Sequence, residues 1–123
     1  MRVLVVDDSR AARSLIGRMM RELGFDVVEA AQGREALDHL ESNAPVDLAL
    51  VDWNMPEMNG LEFVVAARAD QRYQAMPIVM CTSETEVSQM TRALGAGASE
   101  YIMKPFTKEI LRGKLDLLGM PVA

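Results

Sequence analysis

Residues 3–9 read Val3-Leu4-Val5-Val6-Asp7-Asp8-Ser9: an unbroken apolar run, mostly β-branched, followed by two acids and a hydroxyl. A short continuous run of this kind marks a strand covered on both faces, as strands of parallel sheets are. The period then changes. From Arg10 to Leu23 the residues Ala12, Leu15, Ile16, Met19 and Leu23 fall at helical spacing, with Ser9 as a suitable N-cap and Gly24 as a stop. A buried strand, an acidic turn and an amphipathic helix make one βα unit.

The alternation recurs along the chain. Phe25 to Ala30 predicts a second strand, and Gly33 to Leu40 a helix with Ala36, Leu37 and Leu40 inward. Val46 to Val51 is apolar apart from Asp47 and runs into Asp52; the turn-rich Asn54-Met55-Pro56-Glu57-Met58-Asn59-Gly60 then leads to a helix from Leu61 to Ala69. Pro77 to Cys81 predicts a fourth strand. Val87, Met90 and Leu94 mark a fourth helix ended by Gly95 and Gly97. Glu100 to Met103 predicts a fifth strand, and Thr107 caps a last helix carrying Ile110, Leu111, Leu115 and Leu118. Five such repeats with short connections imply an α/β, doubly wound parallel sheet with helices on both faces. The strand order 2-1-3-4-5 is taken over from known sheets of this type and is not read from the spacing.

Bulk properties narrow the function. The 123 residues suit one compact domain with a sizeable core. A net charge of −5 and the lack of a basic stripe argue against direct nucleic-acid binding. The single cysteine, Cys81, allows no internal disulfide, and no segment resembles a signal peptide or a membrane span. A cytoplasmic protein making no membrane contact is expected.

In open parallel sheets ligands bind beyond the carboxyl ends of the strands. The first strand ends in Asp7-Asp8, the third in Asp52, the fourth in Thr82-Ser83 and the fifth in Lys104-Pro105. In the order above these are neighbours, so three carboxylates, a hydroxyl and an ammonium converge on one rim. Clustered carboxylates repel, and a hard divalent cation relieves them; Mg²⁺ takes a few carboxylate or carbonyl oxygens and keeps some waters. With a cation in place, a carboxylate oxygen can attack phosphorus while Lys104 and Thr82 hold phosphoryl oxygens. Taken singly each residue has a plainer reading: Asp7-Asp8 as a solvated turn, Thr82 as a strand-end cap, Lys104 as a surface lysine. Their shared edge makes the set specific.

The stretches Val5-Val6-Asp7-Asp8-Ser9, Val51-Asp52-Trp53-Asn54-Met55-Pro56, Met80-Cys81-Thr82-Ser83, and Ala96-Gly97-Ala98 through Tyr101 to Lys104-Pro105-Phe106 resemble bacterial two-component response-regulator receiver domains of the CheY-like, single-domain kind. The order 2-1-3-4-5 is itself a known feature of CheY-like sheets. The resemblance implies a receiver domain over 1–120 with no output domain, a flavodoxin-like/CheY-like fold, and a Mg²⁺ cofactor. It implies Asp52 as phosphoacceptor, Asp8 as a direct metal ligand, Asp7 as a ligand through water, and the Asn54 backbone carbonyl as a further ligand. Thr82 and Tyr101 resemble the switch pair, Lys104 the phosphate-binding lysine, and the Lys104–Pro105 bond is expected to be cis. The implied partners are a histidine kinase and a downstream target, either a flagellar motor switch or a phosphotransfer protein, with the protein itself monomeric. Chemotaxis is the favoured pathway; a phosphorelay intermediate or a receiver piece of a larger regulator are the alternatives. The chain is expected to be a self-catalysing phosphoacceptor, not an enzyme.

Other residues have modest readings. Cys81 is expected in the core, His39 solvated, and Trp53 at the rim as a partly exposed aromatic. Met19, Met80 and Met90 read as core filler, while Met55, Met58 and Met103 lie near the rim. Asn54 and Glu84, each two positions after a site residue, are placed to tune phosphoryl lifetime, and exposed Arg10, Arg13 and Arg18 to set kinase specificity. An Asp-based phosphatase of the haloacid dehalogenase type would need Asp-x-Asp and a cap insertion, and this chain has adjacent acids and no cap. A flavodoxin-type FMN binder would need a hydroxyl- and glycine-rich loop where Asp7-Asp8 stands.

Overall fold

The computed structural model describes residues 1–42, 45–83 and 88–123. Its elements alternate as the sequence implies: β1 (Arg2–Val6), α1 (Arg10–Glu22), β2 (Asp26–Ala30), α2 (Gly33–Ser42), β3 (Leu48–Asp52), α3 (Gly60–Arg68), β4 (Ile78–Thr82), α4 (Met90–Ala96), β5 (Glu100–Met103) and α5 (Lys108–Leu117). A 3₁₀ turn, Gln71–Tyr73, which the sequence reading did not anticipate, lies between α3 and β4. Val87 and Glu84 lie outside the described residues.

All four strand pairings are parallel, and the sheet order is β2-β1-β3-β4-β5. Because side chains alternate across a strand, the sheet sorts its residues by parity. Leu4, Val6, Ala49, Val51, Ile78 and Met80 face a core completed by Phe63, Val64, Ala67 and Ala93. Val3, Val5, Leu48, Leu50, Val79, Cys81 and Ile102 face the opposite core, completed by Ile16, Met20, Leu111 and Leu115.

Three of the residues expected to point inward are exposed: Leu15, Leu94 and Ile110. In α1 the buried stripe runs through Ile16, Met20 and Leu23, so Leu15 falls a helical step outside it. In α4 the fully buried position is Ala93. Trp53, expected at the rim, is buried as well; it shares the parity of Ala49 and Val51, and its N–H continues the ladder to the Cys81 carbonyl at 3.1 Å.

Local signals start the helices. The Ser9 hydroxyl accepts from Ala12 N at 3.2 Å, and Thr107 accepts from Ile110 N at 3.2 Å. Asn59 and Glu62 form a reciprocal capping box: Asn59 Oδ1 accepts from Glu62 N at 2.9 Å and Glu62 Oε1 from Asn59 N at 3.0 Å. That box starts α3 at Gly60, one residue earlier than the hydrophobic pattern suggests. Gly60 is jammed against the end of β3: a Cβ there would sit 2.8 Å from the Asp52 carbonyl oxygen and 2.5 Å from Met80 Cε. Arg68 near the other end of α3 donates to the carbonyls of Gly97 and Tyr73, tying the close of α4 to the 3₁₀ turn. Among the described residues no helix is long and apolar enough to cross a membrane.

Glycine substitutions separate these effects. Gly60→Ala is expected to lose roughly 1–3 kcal/mol through overpacking against backbone that cannot retreat. Gly113→Ala, in α5 with nothing within 4 Å of the added carbon, is expected to gain roughly 0.5–1 kcal/mol from reduced backbone entropy of the unfolded chain. Urea unfolding of the two variants beside the parent measures both signs.

Candidate functional site

Sheet register builds the site. Val6 pairs with Val51, so the next residues, Asp7 and Asp52, stand level on adjacent strands. Asp52 pairs with Cys81, and Thr82 with Met103, which brings Thr82 and then Lys104 to the same edge. Parity then divides the group. Asp7, Asp52 and Lys104 follow the alternation of Val5, Leu50 and Ile102 on the α1–α5 side, whereas Thr82 follows Met80 on the α3–α4 side.

The acidic half is held by one lysine. Lys104 Nζ donates to Asp7 Oδ2 at 2.7 Å and to Asp52 Oδ1 at 2.8 Å. Asp7 is only 2% exposed, and its other carboxylate oxygen accepts from Ser9 N at 2.9 Å. Burial alone would push the lysine towards its neutral form; the hydrogen bonds and charges of Asp52 and Asp7 outweigh it, and its pKa is raised. For Asp52 the balance goes the other way. Burial is the largest influence and, with repulsion from Asp7 and Asp8, lifts its carboxyl above the usual 3.8 despite the Lys104 bond.

One ligand atom each from Asp7, Asp8 and Asp52 lie within 4.8 Å of one another. Three hard oxygen donors at this spacing, one of them on the exposed Asp8, fit a divalent cation of the Mg²⁺ or Ca²⁺ type. A carboxylate oxygen that accepts one hydrogen bond keeps a further lone pair, so Asp7 can serve Ser9, Lys104 and a cation or its water together. Asn54 is exposed two residues beyond Asp52.

The other half is neutral. Thr82 is fully buried and its Oγ1 donates to the Ser83 carbonyl at 3.1 Å. Tyr101 is half-buried against the α3–α4 core. The Lys114 ammonium lies 4.9 Å from the centre of the Tyr101 ring and 3.4 Å from Glu100 Oε1. The Lys104–Pro105 bond is cis. Cys81 is buried as expected, and burial, only partly countered by Lys104, pushes its thiol up to about 12, which leaves it unreactive at neutral pH.

Comparison with known proteins fits this geometry. Residues 3–116 match the response regulator receiver domain family. The chain belongs to that family. It is 49% identical over 121 residues to a chemotaxis protein CheY homolog of Campylobacter jejuni, covering 97% of this chain and 93% of that one. It is 45% identical over 119 residues to chemotaxis protein CheY1 of Helicobacter pylori, covering 96% of each. Among solved structures, Vibrio cholerae chemotaxis protein CheY4 superimposes with a TM-score of 0.87 at 38% identity, over 94% of this chain and 96% of that one. The receiver fold and the family expected from the strand-end residues are therefore correct.

One contact at the site went unread in the sequence. Arg13, expected to be an exposed specificity residue, has a side chain only 15% exposed. Its Nη1 donates to the Asp7 carbonyl at 2.6 Å and its Nε to Glu29 Oε1 at 3.3 Å. A usable signal existed: helical side chains lean towards the N-terminus, so a long residue one turn after the Ser9 cap reaches back over the strand end.

The raised Asp52 carboxyl has a consequence for stability. A carboxyl whose folded pKa exceeds its unfolded value takes up protons more readily when folded, so its ionised form weakens the fold as pH rises through that window. Asp52→Asn is expected to melt higher than the parent at neutral pH in a chelator, by about 4 °C for each kcal/mol relieved. The gap should close as the pH falls below 3.8, the ordinary aspartate value. Added Mg²⁺ should narrow it from the other side by stabilising the parent. Thermal melts across pH, with and without the cation, check all three signs.

Proposed function

We propose that Asp52 accepts a phosphoryl group from a phosphohistidine of a sensor kinase, and that the modified chain signals through the surface of α4, β5 and α5. The observation that carries this reading is Lys104 Nζ held between Asp7 and Asp52, beside three carboxylates close enough to share a cation. An oxygen of Asp52 attacks phosphorus, the P–N bond breaks, and the imidazole leaves with a proton from water. Bound Mg²⁺, held by Asp8, Asp52 and the Asn54 carbonyl with Asp7 acting through a water, would offset charge on the phosphoryl oxygens. Lys104 lies near enough to exchange its Asp52 bond for a phosphoryl oxygen while keeping Asp7. No separate catalyst is needed, so the chain is a self-phosphorylating acceptor and not an enzyme acting on outside substrates.

The switch follows from Thr82. Its hydroxyl is satisfied by a neighbouring carbonyl, and a phosphoryl oxygen offers a stronger, charge-assisted acceptor. Turning the hydroxyl to the site draws in the start of the β4–α4 connection, on the face where Tyr101 packs. Tyr101 then follows inward, and the exposed Met103 and Ile110 beside it present a changed surface. This is a population shift whose size is set by those differential contacts.

For the donor, an apolar groove lined by Leu15, Met19 and Phe106 opens beside Lys104, where a helix of a kinase or phosphotransfer protein can rest its apolar side. For the pathway, the relatives above are chemotaxis proteins, which favours a flagellar motor switch as target over onward phosphotransfer. A monomeric cytoplasmic protein suits both roles.

Incubation with acetyl phosphate and Mg²⁺, read by intact mass, tests the reading. One acid-stable, base-labile phosphoryl group is expected on the parent and none on Asp52→Asn. Thr82→Ala should still be modified while Tyr101 no longer changes environment by NMR. A parent that gains no mass, or an Asp52→Asn chain that gains as much as the parent, would falsify the assignment.

A further inference from the structure

Asp7 is engaged at all of its polar atoms. Its N–H donates to the Ala30 carbonyl at 3.1 Å, its two carboxylate oxygens accept from Ser9 N and Lys104 Nζ, and its carbonyl accepts from Arg13 at 2.6 Å. The last bond fixes the peptide plane joining Asp7 to Asp8, on which the direction of the Asp8 side chain depends. Arg13 is fixed in turn: its guanidinium spans from the first turns of α1 over the end of β1 to Glu29 on β2, 3.3 Å away. A planar fork with several donors can hold a carbonyl and a carboxylate at once.

We infer that Arg13 is a positioning residue for cation binding. Backed by Glu29, it holds the Asp7–Asp8 peptide so that both carboxylates meet Asp52 around one ion. The inference rests on the Mg²⁺ reading above and adds a residue that touches neither ion nor phosphoryl group.

Two effects of Arg13 oppose each other. Its positive charge repels a divalent cation, but Glu29, paired with it at 3.3 Å, largely offsets that charge, so the repulsion is weak. Its hold on the peptide favours the cation, and outer partners of metal ligands commonly change affinity by about tenfold or more. Positioning therefore wins. Coulomb repulsion alone would make loss of Arg13 tighten binding, so the sign of the change separates the two.

The test is a Mg²⁺ titration followed by Trp53 fluorescence, on the parent, Arg13→Ala, Arg13→Lys and the double variant Arg13→Ala/Glu29→Gln. The double variant removes the pair without altering net charge. Arg13→Ala and the double variant are expected to bind Mg²⁺ about tenfold more weakly, with Arg13→Lys in between. Phosphorylation by acetyl phosphate at saturating Mg²⁺ should stay near the parental rate, a split that general loss of stability, followed by urea unfolding, would not give. Equal or tighter Mg²⁺ binding by Arg13→Ala and the double variant overturns the inference and leaves the metal reading standing. A parent with no Mg²⁺ response by fluorescence or by a shift in melting temperature removes the metal reading and this inference with it.

Discussion

The Asp7 carboxylate, nearly sealed from solvent and facing Asp52 across two paired strands, is tolerable because one ammonium reaches both. A carboxylate buried without a hydrogen-bonded partner is costly. Lys104 supplies that partner, and its position is a product of the whole sheet. It follows β5, whose register on β4 is carried past Met103 by the bond from Lys104 N to the Thr82 carbonyl at 2.7 Å. A slip of one residue in β5 would turn the lysine to the other face. The acidic edge and the strand pairing are thus mutually dependent: the sheet places the lysine, and the lysine lets the sheet end in acids.

Parity gives the sheet two chemical faces. The charged groups belong to the α1–α5 side, while Thr82 and Tyr101 belong to the α3–α4 side. Between them the central strands are tightly packed and aliphatic, so the signal proposed to start at Asp52 would go around the rim, where Thr82, last residue of β4 and level with Met103, offers a hydroxyl. In the proposed switch this explains why the responding element is a strand end. Its hydroxyl can change partners without disturbing the apolar layers beneath it.

Most of this was legible in the sequence. The βα alternation and the strand-end residues followed from apolar runs that stop at acids, hydroxyls and a lysine, and the family from the resemblance of those stretches to known receivers. The misreadings have a common cause. Leu15, Leu94 and Ile110 are apolar, but helical phase, not composition, decides which side is buried, and Ala93 takes the close approach that a larger residue would block. Trp53 was placed at the rim by its neighbour Asp52, yet adjacent strand residues face opposite ways. Arg13 was read as a surface cation because arginines usually are; its place one turn after the Ser9 cap hints at a reach back over β1, but its partners Asp7 and Glu29 lie on two other segments. Pairwise contacts between distant segments are what a linear reading lacks.

The site also accepts a cost that the rest of the fold avoids. Asp52 could have been neutral, and burial with two acidic neighbours disfavours its charge. A receiver has reason to keep that tension. A carboxylate strained in this way is eased by a cation, and the proposed acyl phosphate, which brings still more negative charge to the same place, would need that cation even more. Lys104 limits the tension without abolishing it, since one ammonium is shared between the carboxylates of Asp7 and Asp52. A second cation is therefore favoured by the charge balance itself, and in the proposed reaction it would also meet the charge that the phosphoryl group adds.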